Sequence, residues 1–511
     1  MTRVTVGAGP LSPDDVVAVA RHDAEVVLDE SALARIKAAR ARIDALADSG
    51  EPVYGVSTGF GALANRHIPA ELRTQLQRSV VRSHAAGSGD EVEREVVRAM
   101  MLLRLRTMAT GHTGVRPETA QAYAALLNAG VTPVVREFGS LGCSGDLAPL
   151  AHCALAVMGE GEVRDSCGVV RPAAQAMSDA GIAPVELSAK EGLALINGTD
   201  GMLGMLILAC VDLWSLAKNA DIAAAMSVEA MRGTDRVFAE ELQRLRPHPG
   251  QAASAANLRA LLQGSPIVEA RRADPSLVQD AYSMRCAPQV AGAFRDTLSH
   301  AVAVAAREMA SAIDNPVVLD NGRVESNGNF HGAPIAFVLD FLAIAAADLA
   351  SISERRTDRL LDAHRSRGLP AFLADDPGVD SGHMIAQYTQ AALVSELKRL
   401  ATPASVDSIP SSAMQEDHVS MGWSAARKLR RAVDALTRVL AIEILTAARA
   451  LDLRAPLRPA PATGAVVQAL RQKVDGPATD RWLAPEIEAA VTMTSDGSFV
   501  AAAEAVTGQL N

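Results

Sequence analysis

The sequence predicts a mainly α fold, a central bundle of long helices with a loop-rich N-terminal region. Alanine and leucine dominate the apolar residues, and aromatic residues make up only 3% of the chain. Alanine and leucine favour helices, whereas strands favour β-branched and aromatic residues. Four proline-free stretches far exceed the mean helix length of about 11 residues. They are residues 202–232, 290–314, 335–359 and 420–454.

The long stretches are apolar on more than one side, as Phe341, Leu342, Ile344 and Leu349 illustrate. Helices that are apolar over most of their girth must be covered by other helices on several sides. One chain of this length is not expected to cover every such face. The pattern therefore predicts a helical bundle that assembles into an oligomer.

The remaining elements follow from local signals. Ser31 is expected to open a helix that stops at residues 49–50, and a second helix is expected over residues 91–110. Pro117 is typical of a further helix start, and residues 162–171 indicate a turn or hairpin. Glycine and proline make residues 51–62 and 132–150 irregular. Three prolines, at positions 456, 459 and 461, predict a linker before a helical tail.

Composition excludes several classes of protein. A net charge of −10 without a basic stripe argues against a nucleic-acid partner. Five cysteines without CxxC spacing, and a start without an apolar signal sequence, indicate a reduced, cytoplasmic protein. The most apolar run, residues 201–211, is about half of the ~20 residues that a membrane span needs. We therefore expect a soluble protein with no membrane partner.

The segment Cys143-Ser144-Gly145 lies in a glycine-rich stretch. One interpretation is a turn that Asp146 caps before a helix. The other is backbone cyclisation, in which the amide nitrogen of Gly145 attacks the carbonyl carbon of Cys143; glycine permits this approach because it has no Cβ. Loss of water closes a five-membered ring, and dehydration of Ser144 leaves an electrophilic methylidene group.

This segment resembles the cofactor-forming signature of the aromatic amino acid ammonia-lyase and aminomutase family. The usual triad there is Ala-Ser-Gly, so Cys143 departs at the first position, but its side chain lies outside the ring-forming bonds. The resemblance covers residues 52–421 and implies 4-methylidene-imidazol-5-one as the cofactor, with no external one. It also implies a fumarase/aspartase-like architecture and a homotetramer whose sites combine several chains. We expect one continuous unit with regions 1–200, 201–454 and 455–511, the first carrying the cofactor.

The loop around Tyr54 fits no phosphate-binding motif. It resembles the family's inner loop, whose tyrosine removes the substrate's β-proton. A free tyrosine has a pKa of ~10, so a base in this position needs neighbours that favour the phenolate. The resemblance implies Tyr54 as the base, with Glu416 as the alternative.

Two further segments resemble substrate-binding segments of the family. Ser83-His84 occupies the selectivity position, where family members that act on histidine carry this pair, and His84 would bond to the substrate's imidazole. In the segment from Gln279 to Gln289, Arg285 would bind the substrate carboxylate with two parallel hydrogen bonds. Tyr282 and Gln279 would lie near the amine and the cofactor. Taken alone, His84 could be a structural histidine and Arg285 a surface arginine.

The last segments resemble those that support the cofactor. Phe330 would pack against it, and Asn197 would donate to its carbonyl and stabilise negative charge. At the position of Glu416, members acting on histidine carry glutamate and those acting on phenylalanine carry glutamine. Asp200 stands where glutamine is more usual in the family.

The resemblance thus implies elimination of ammonia from L-histidine to give trans-urocanate, the first step of histidine breakdown. The substrate would be activated when either its amine or its imidazole attaches to the electrophile. The sequence does not decide between these two schemes. One alternative is a phenylalanine or tyrosine lyase or an aminomutase, against which His84 and Glu416 argue. Another is an inactive helical scaffold, in which Ser144 stays unmodified. No histidine lies in a known metal-binding spacing, so we expect no metal.

Overall fold

The computed structural model describes residues 2–49, 53–59, 61–63, 65–272 and 278–511. Within these ranges the chain is mainly α, which confirms the predicted fold class. The strands are short: β1 Arg3–Val6, β2 Glu25–Leu28, β3 Ser88–Glu91, β4 Thr132–Pro133, β5 Arg136–Phe138, β6 Glu162–Arg164, β7 Val170–Pro172, β8 Val317–Val318 and β9 Val324–Glu325. Strands β1 and β2 are parallel, and β3–β5, β4–β6, β6–β7 and β8–β9 are antiparallel. The β6–β7 pair confirms the predicted hairpin.

The N-terminal helices are α1 Pro13–His22, α2 Glu30–Asp48, α3 Arg73–His84, α4 Arg94–Ala109, α5 Pro117–Asn128, α6 Leu147–Val157, α7 Ala173–Asp179 and α8 Glu191–Ile196. Pro117 starts α5 as predicted. Two predicted starts were wrong. Helix α2 begins one residue before Ser31, after an extended Asp29. Helix α4 begins at Arg94 and not at position 91, because the preceding residues pair with β5.

The middle of the chain contains the long helices. They and the shorter helices between them are α9 Asp200–Ala230, α10 Glu240–Arg244, α11 Pro249–Leu262, α12 Pro266–Arg272, α13 Tyr282–Arg285, α14 Ala287–Ala310, α15 Ala333–Leu361, α16 Met384–Leu400 and α17 Gly422–Asp452. The four predicted long helices, α9, α14, α15 and α17, are confirmed. Helix α14 ends before Asp314, whose buried carboxylate instead accepts a hydrogen bond from Lys190 at 2.5 Å.

The C-terminal tail is helical, as predicted from the prolines before it. Its helices are α18 Pro461–Arg471, α19 Ala484–Ser495 and α20 Ser498–Thr507. Helix α18 starts with Pro461 in its first turn, where the missing N–H costs no helical bond. It packs against α20 and α11.

The chain forms two compact units. The first comprises residues 1–208, 302–340 and 403–427, and the second comprises residues 209–301, 341–402 and 428–511. The division into regions 1–200, 201–454 and 455–511 stays a prediction.

Helix α4 organises the first unit, where it packs against α1, α2 and α5. It carries three buried arginines in an otherwise apolar sequence: Arg98, Arg104 and Arg106. Arg98 donates to the carbonyl oxygens of Val19 at 2.9 Å and Leu127 at 3.0 Å. Because buried carbonyl groups need partners, these bonds tie α4 to α1 and α5.

A buried carboxylate organises the second unit. Glu443 on α17 accepts hydrogen bonds from the hydroxyls of Ser227 at 2.7 Å and Ser353 at 2.6 Å. It also pairs with Arg356, through Nε at 2.5 Å and Nη2 at 2.8 Å. Glu443 and Arg356 are both at most 1% exposed. The network links α9, α15 and α17 within the large apolar core of this unit.

Helix α15 is only partly covered within one chain. Leu342 and Leu349 are buried, whereas Phe337, Phe341 and Ile344 are 61%, 47% and 45% exposed. Residues at this spacing share one helix face. The uncovered face fits the predicted oligomer, which stays a prediction.

Two helical stretches, Glu191–Ala230 and Ala333–Leu361, are long and apolar enough to cross a membrane by length and composition. The helix around residues 201–211 is therefore longer than the apolar run alone indicates. In the folded chain 94% and 61% of the most apolar windows are buried, as in core helices.

Replacement of Glu443 tests the buried network. We expect Glu443→Ala to lower the free energy of unfolding by about 3–5 kcal/mol, because the Arg356 charge would stay buried without its partner. The measurement is the midpoint of thermal or urea unfolding. The matched control is Glu240→Ala, which removes an exposed i,i+4 pair with Arg244 and should leave the midpoint unchanged. Equal midpoints for the two variants would contradict this role of Glu443.

Candidate active site

A cavity of about 430 Å³ lies in the first unit. Five residues singled out in the sequence line it: Tyr54, Cys143, Ser144, Phe330 and Glu416. The rest of its lining comprises Gly61, Asn315, Ser326, Asn327, His331, Gln415, Asp417 and His418. The structure thus brings Tyr54, the Cys143-Ser144 segment and Glu416 to one cavity.

The bend at Gly145 requires glycine for two reasons. Its φ of +73° lies in the left-handed region that side chains disfavour. A Cβ atom there would also lie 2.1 Å from the carbonyl oxygen of Gly198. The same oxygen accepts the backbone N–H of Asp146 at 2.7 Å. The backbone of the Ser144 segment is therefore pressed against the chain at Gly198.

Asp146 follows Gly145 directly, just before α6, and its side chain anchors this end of the bend. Its carboxylate is fully buried and accepts hydrogen bonds from the Ser140 hydroxyl and the Met202 N–H, each at 2.9 Å. Burial raises the pKa of Asp146 to about 7, since these donors only partly offset the loss of hydration; the charge of Asp200 acts in the same direction as burial. Asp146 therefore serves as a hydrogen-bonded anchor and not as an exposed helix cap.

The segment beneath the bend is held by Arg104, which the sequence analysis did not single out. Its Nη1 donates to the carbonyl oxygen of Asn197 at 3.1 Å, and its Nη2 pairs with Asp200 at 2.8 Å. Arg104 is 0% exposed. The sequence feature that could have identified Arg104 is an arginine within a largely apolar helical stretch. The pairing also accounts for Asp200, the acidic residue where the family more usually has glutamine.

Asn197 is buried beside this arginine. Its Nδ2 donates to the carbonyl oxygen of Asn315 at 3.1 Å, and its Oδ1 has no partner among the described residues. Asn315 in turn lines the cavity. A buried amide with spare hydrogen-bonding capacity is suited to binding a polar group at the site.

Three donors surround the carboxylate of Glu416. Ser144 Oγ donates to Oε1 at 3.2 Å, while Ser411 Oγ and Cys143 Sγ donate to Oε2 at 3.0 Å and 3.3 Å. Burial, together with the negative charge of Glu416, raises the pKa of the Cys143 thiol to about 12. The thiol is therefore protonated at neutral pH, and a protonated thiol is a poor nucleophile.

A strained turn presents Glu416. Ser412, Ala413 and Met414 have φ values of 51°, 52° and 68°. Such left-handed conformations cost non-glycine residues roughly 1–2 kcal/mol each. Backbone bonds from Ser411 N to Glu416 O at 3.0 Å and from Glu416 N to Ser411 O at 3.3 Å close the turn. The strain is typical of a segment whose conformation serves a site.

His84 ends α3, and its Nδ1 lies 3.1 Å from the Ser83 hydroxyl. Burial lowers the pKa of His84, although the carboxylate of Glu416 acts in the opposite direction. The imidazole is therefore neutral at neutral pH. The imidazole is close enough to Glu416 to interact with its charge. It is not among the described residues that line the cavity.

Tyr54 and Phe330 reach the cavity from separate loops. The Tyr54 hydroxyl accepts the backbone N–H of Gly61 at 3.2 Å. Phe330 follows Asn327, whose Nδ2 donates to the carbonyl oxygen of Asp314 at 3.0 Å. Position 60 of the Tyr54 loop lies outside the described residues.

The other predicted site residues, Gln279, Tyr282 and Arg285, belong to the second unit. Gln279 is exposed, and Tyr282 is 72% exposed. The Arg285 guanidinium lies over the Tyr282 ring, 4.6 Å from its centre. The described residues that line the cavity include none of these three. Their place in the site stays a prediction.

All five cysteines are free thiols. Among the described residues, no group of three or more histidine, cysteine, aspartate and glutamate side chains is arranged to hold a metal ion. What the cavity offers chemically is a carboxylate, a tyrosine hydroxyl and a serine on a strained, glycine-dependent bend.

Comparison with known proteins agrees with this arrangement. Residues 11–472 match the family described as aromatic amino acid lyase. A histidine ammonia-lyase of Streptomyces avermitilis is 67% identical over 511 residues, which cover all of both chains.

Two solved structures share the fold. A tyrosine aminomutase from Streptomyces globisporus has a TM-score of 0.94 at 39% identity, with all of both chains covered. A histidine ammonia-lyase from Trypanosoma cruzi has a TM-score of 0.92 at 40% identity, covering 99% of this chain and 96% of that one. Backbone shape therefore does not separate these two activities. The matched residues and the relatives together show that this chain belongs to the aromatic amino acid lyase family.

Proposed function

We propose that this chain is a carbon–nitrogen lyase that eliminates ammonia from L-histidine and releases trans-urocanate. Relatives with 66–67% identity over their full length are named histidine ammonia-lyases. The single observation that carries the substrate is the Glu416 carboxylate, 3.2 Å from Ser144 within the cavity. An imidazole N–H can donate a hydrogen bond to this carboxylate. A phenyl ring would displace the water that hydrates the carboxylate and has no hydrogen-bond donor to replace it.

Neutral His84 is the second proposed contact for the substrate's ring. Its lowered pKa leaves one ring nitrogen as a donor and the other as an acceptor at neutral pH. A substrate imidazole carries the same two functions and can therefore bond to both His84 and Glu416. This pair of partners favours histidine over phenylalanine.

We propose that Cys143, Ser144 and Gly145 form 4-methylidene-imidazol-5-one. The residues present fit this group, because Gly145 has the left-handed φ and the glycine-only approach to Gly198 that a tightly bent backbone requires. The Gly145 nitrogen bonds to the Cys143 carbonyl carbon with loss of one water, and Ser144 loses its hydroxyl with its α-proton as a second. When present, the group supplies the electrophile that activates the substrate.

Other residues of this chain have supporting roles in the proposal. Asn197 gives one Nδ2 hydrogen to Asn315 and has a second for the ring carbonyl. Phe330 supplies an apolar wall. Tyr54 removes the β-proton; it lines the cavity, and its hydroxyl accepts the backbone N–H of Gly61. Glu416 is the alternative base.

We further propose that Arg285 binds the substrate carboxylate and that Tyr282 and Gln279 complete the site from another copy of the chain, in a cytoplasmic homotetramer. The support is the exposed position of Tyr282 and the uncovered apolar face of α15 at Phe337 and Phe341. Guanidinium groups bind carboxylates through two parallel hydrogen bonds.

The mass of the intact protein tests the cofactor. We expect the purified protein to be lighter than its sequence by two water molecules, and Ser144→Ala to keep at least one of them because it has no hydroxyl to eliminate. Ser83→Ala is the matched control and should lose both waters. A folded wild-type protein with its full sequence mass would contradict both the cofactor and the lyase activity, and would favour the inactive scaffold.

Substitution of the carboxylate tests the substrate. We expect Glu416→Gln to lower kcat/KM for L-histidine by roughly tenfold to a hundredfold, the effect of losing a hydrogen bond to a charged group. Urocanate formation is followed by its ultraviolet absorbance. Asp417→Asn removes a neighbouring charge that has no bond to Ser144, and its effect should be at most a few-fold. Turnover of tyrosine but not histidine by the wild-type protein, or β-histidine as the main product, would refute the proposed reaction.

A further inference from the structure

The two oxygens of Glu416 have different partners. Oε2 accepts two hydrogen bonds, from Ser411 Oγ at 3.0 Å and from Cys143 Sγ at 3.3 Å. Oε1 accepts one, from Ser144 Oγ at 3.2 Å. The carboxylate is thus attached to its own turn and to the first two residues of the ring-forming segment.

The Ser144 hydroxyl is the one donor of the three that ring formation removes. In the dehydration, the Cα–H proton and the hydroxyl leave as water, the Cβ–O bond breaks, and a Cα=Cβ double bond forms. Nothing remains at Ser144 that can donate to Oε1. The Ser411 hydroxyl and the Cys143 thiol take no part in this reaction, so it removes neither donor to Oε2.

We propose that Cys143 and Ser411 are positioning residues that hold Oε2 of Glu416, and that ring formation frees Oε1 for the imidazole of the substrate. This inference rests on the proposed function. It assigns a role to Cys143, the unusual first residue of the triad, because the side chain of alanine at that position cannot donate a hydrogen bond. It also links completion of the electrophile to exposure of the oxygen that selects the substrate.

The surroundings of both donors support this assignment. The thiol is 6% exposed, and its high pKa keeps its hydrogen on sulfur, available to the carboxylate. Ser411 opens the strained turn, and its backbone bonds to Glu416 in both directions while its side chain holds Oε2. The turn is strained over three successive residues, and such strain persists only where the surrounding structure imposes it.

The first test observes the thiol directly. The S–H stretching band of Cys143, isolated as the infrared difference between wild type and Cys143→Ala, should lie at a lower frequency than that of a free thiol, because a carboxylate accepts its hydrogen. Glu416→Gln should move the band to higher frequency, since an amide oxygen is a weaker acceptor. Intact mass must show in each variant that both waters have been lost.

The second test uses the activity of alanine variants and its rescue by variants that keep a hydrogen-bond donor. We expect Cys143→Ala and Ser411→Ala each to lower kcat/KM for histidine by about three- to tenfold, the usual effect of one hydrogen bond. Cys143→Ser and Ser411→Thr each supply a hydroxyl donor at the same position and should bring kcat/KM back toward the wild-type value, which a merely steric role of these side chains would not require. The double alanine variant should be affected more than either single one.

The outcomes separate this inference from the proposed function. An unchanged kcat/KM in both alanine variants, or a thiol band that does not respond to Glu416→Gln, would overturn the positioning role while urocanate formation continues. A wild-type protein that keeps its full sequence mass would overturn the proposed function itself.

Discussion

The approach of the backbone at Gly145 to that at Gly198 is the contact on which the candidate site depends. A Cβ at Gly145 would lie 2.1 Å from the Gly198 carbonyl oxygen, and a Cβ at Gly198 would lie 2.1 Å from Arg104 Nη2. Two glycines and one guanidinium are therefore packed without room for a methyl group. Since protein interiors are densely packed, such a contact leaves the bend little freedom.

Buried charges hold this contact in place. Arg104 is paired with Asp200 and donates to the carbonyl oxygen of Asn197, and Asp146 accepts from the Met202 N–H at the start of α9. Burial of charged groups is costly unless they are paired, so these residues define a specific geometry more than they add stability. The result is a hydrogen-bonded support for the bend at Gly145, which suits a reaction that requires precise backbone placement.

The same fold carries different activities in the family. The solved tyrosine aminomutase matches the backbone of this chain with a TM-score of 0.94, and the solved histidine ammonia-lyase matches it with 0.92. The substrate is therefore decided by side chains within a shared frame. In this chain the proposed side chains are His84 and Glu416, which lie close enough to interact electrostatically.

Local patterns determined much of this protein without a structure. Helical periodicity and the absence of proline identified α9, α14, α15 and α17, and glycine content marked the bend at Gly145 and the Tyr54 loop. What sequence spacing could not supply was the start of α4, which depends on pairing between β3 and β5, and the donors around Glu416. Ser144 and Glu416 are separated by 272 positions, and Arg104 and Asn197 by 93. Such contacts depend on how helices and loops pack in three dimensions. The periodicity of hydrophobic residues gives information only about residues within the same helix or strand. The residue types of the candidate site were thus readable from the chain alone, whereas the different hydrogen-bond partners of the two Glu416 oxygens followed only from the tertiary structure.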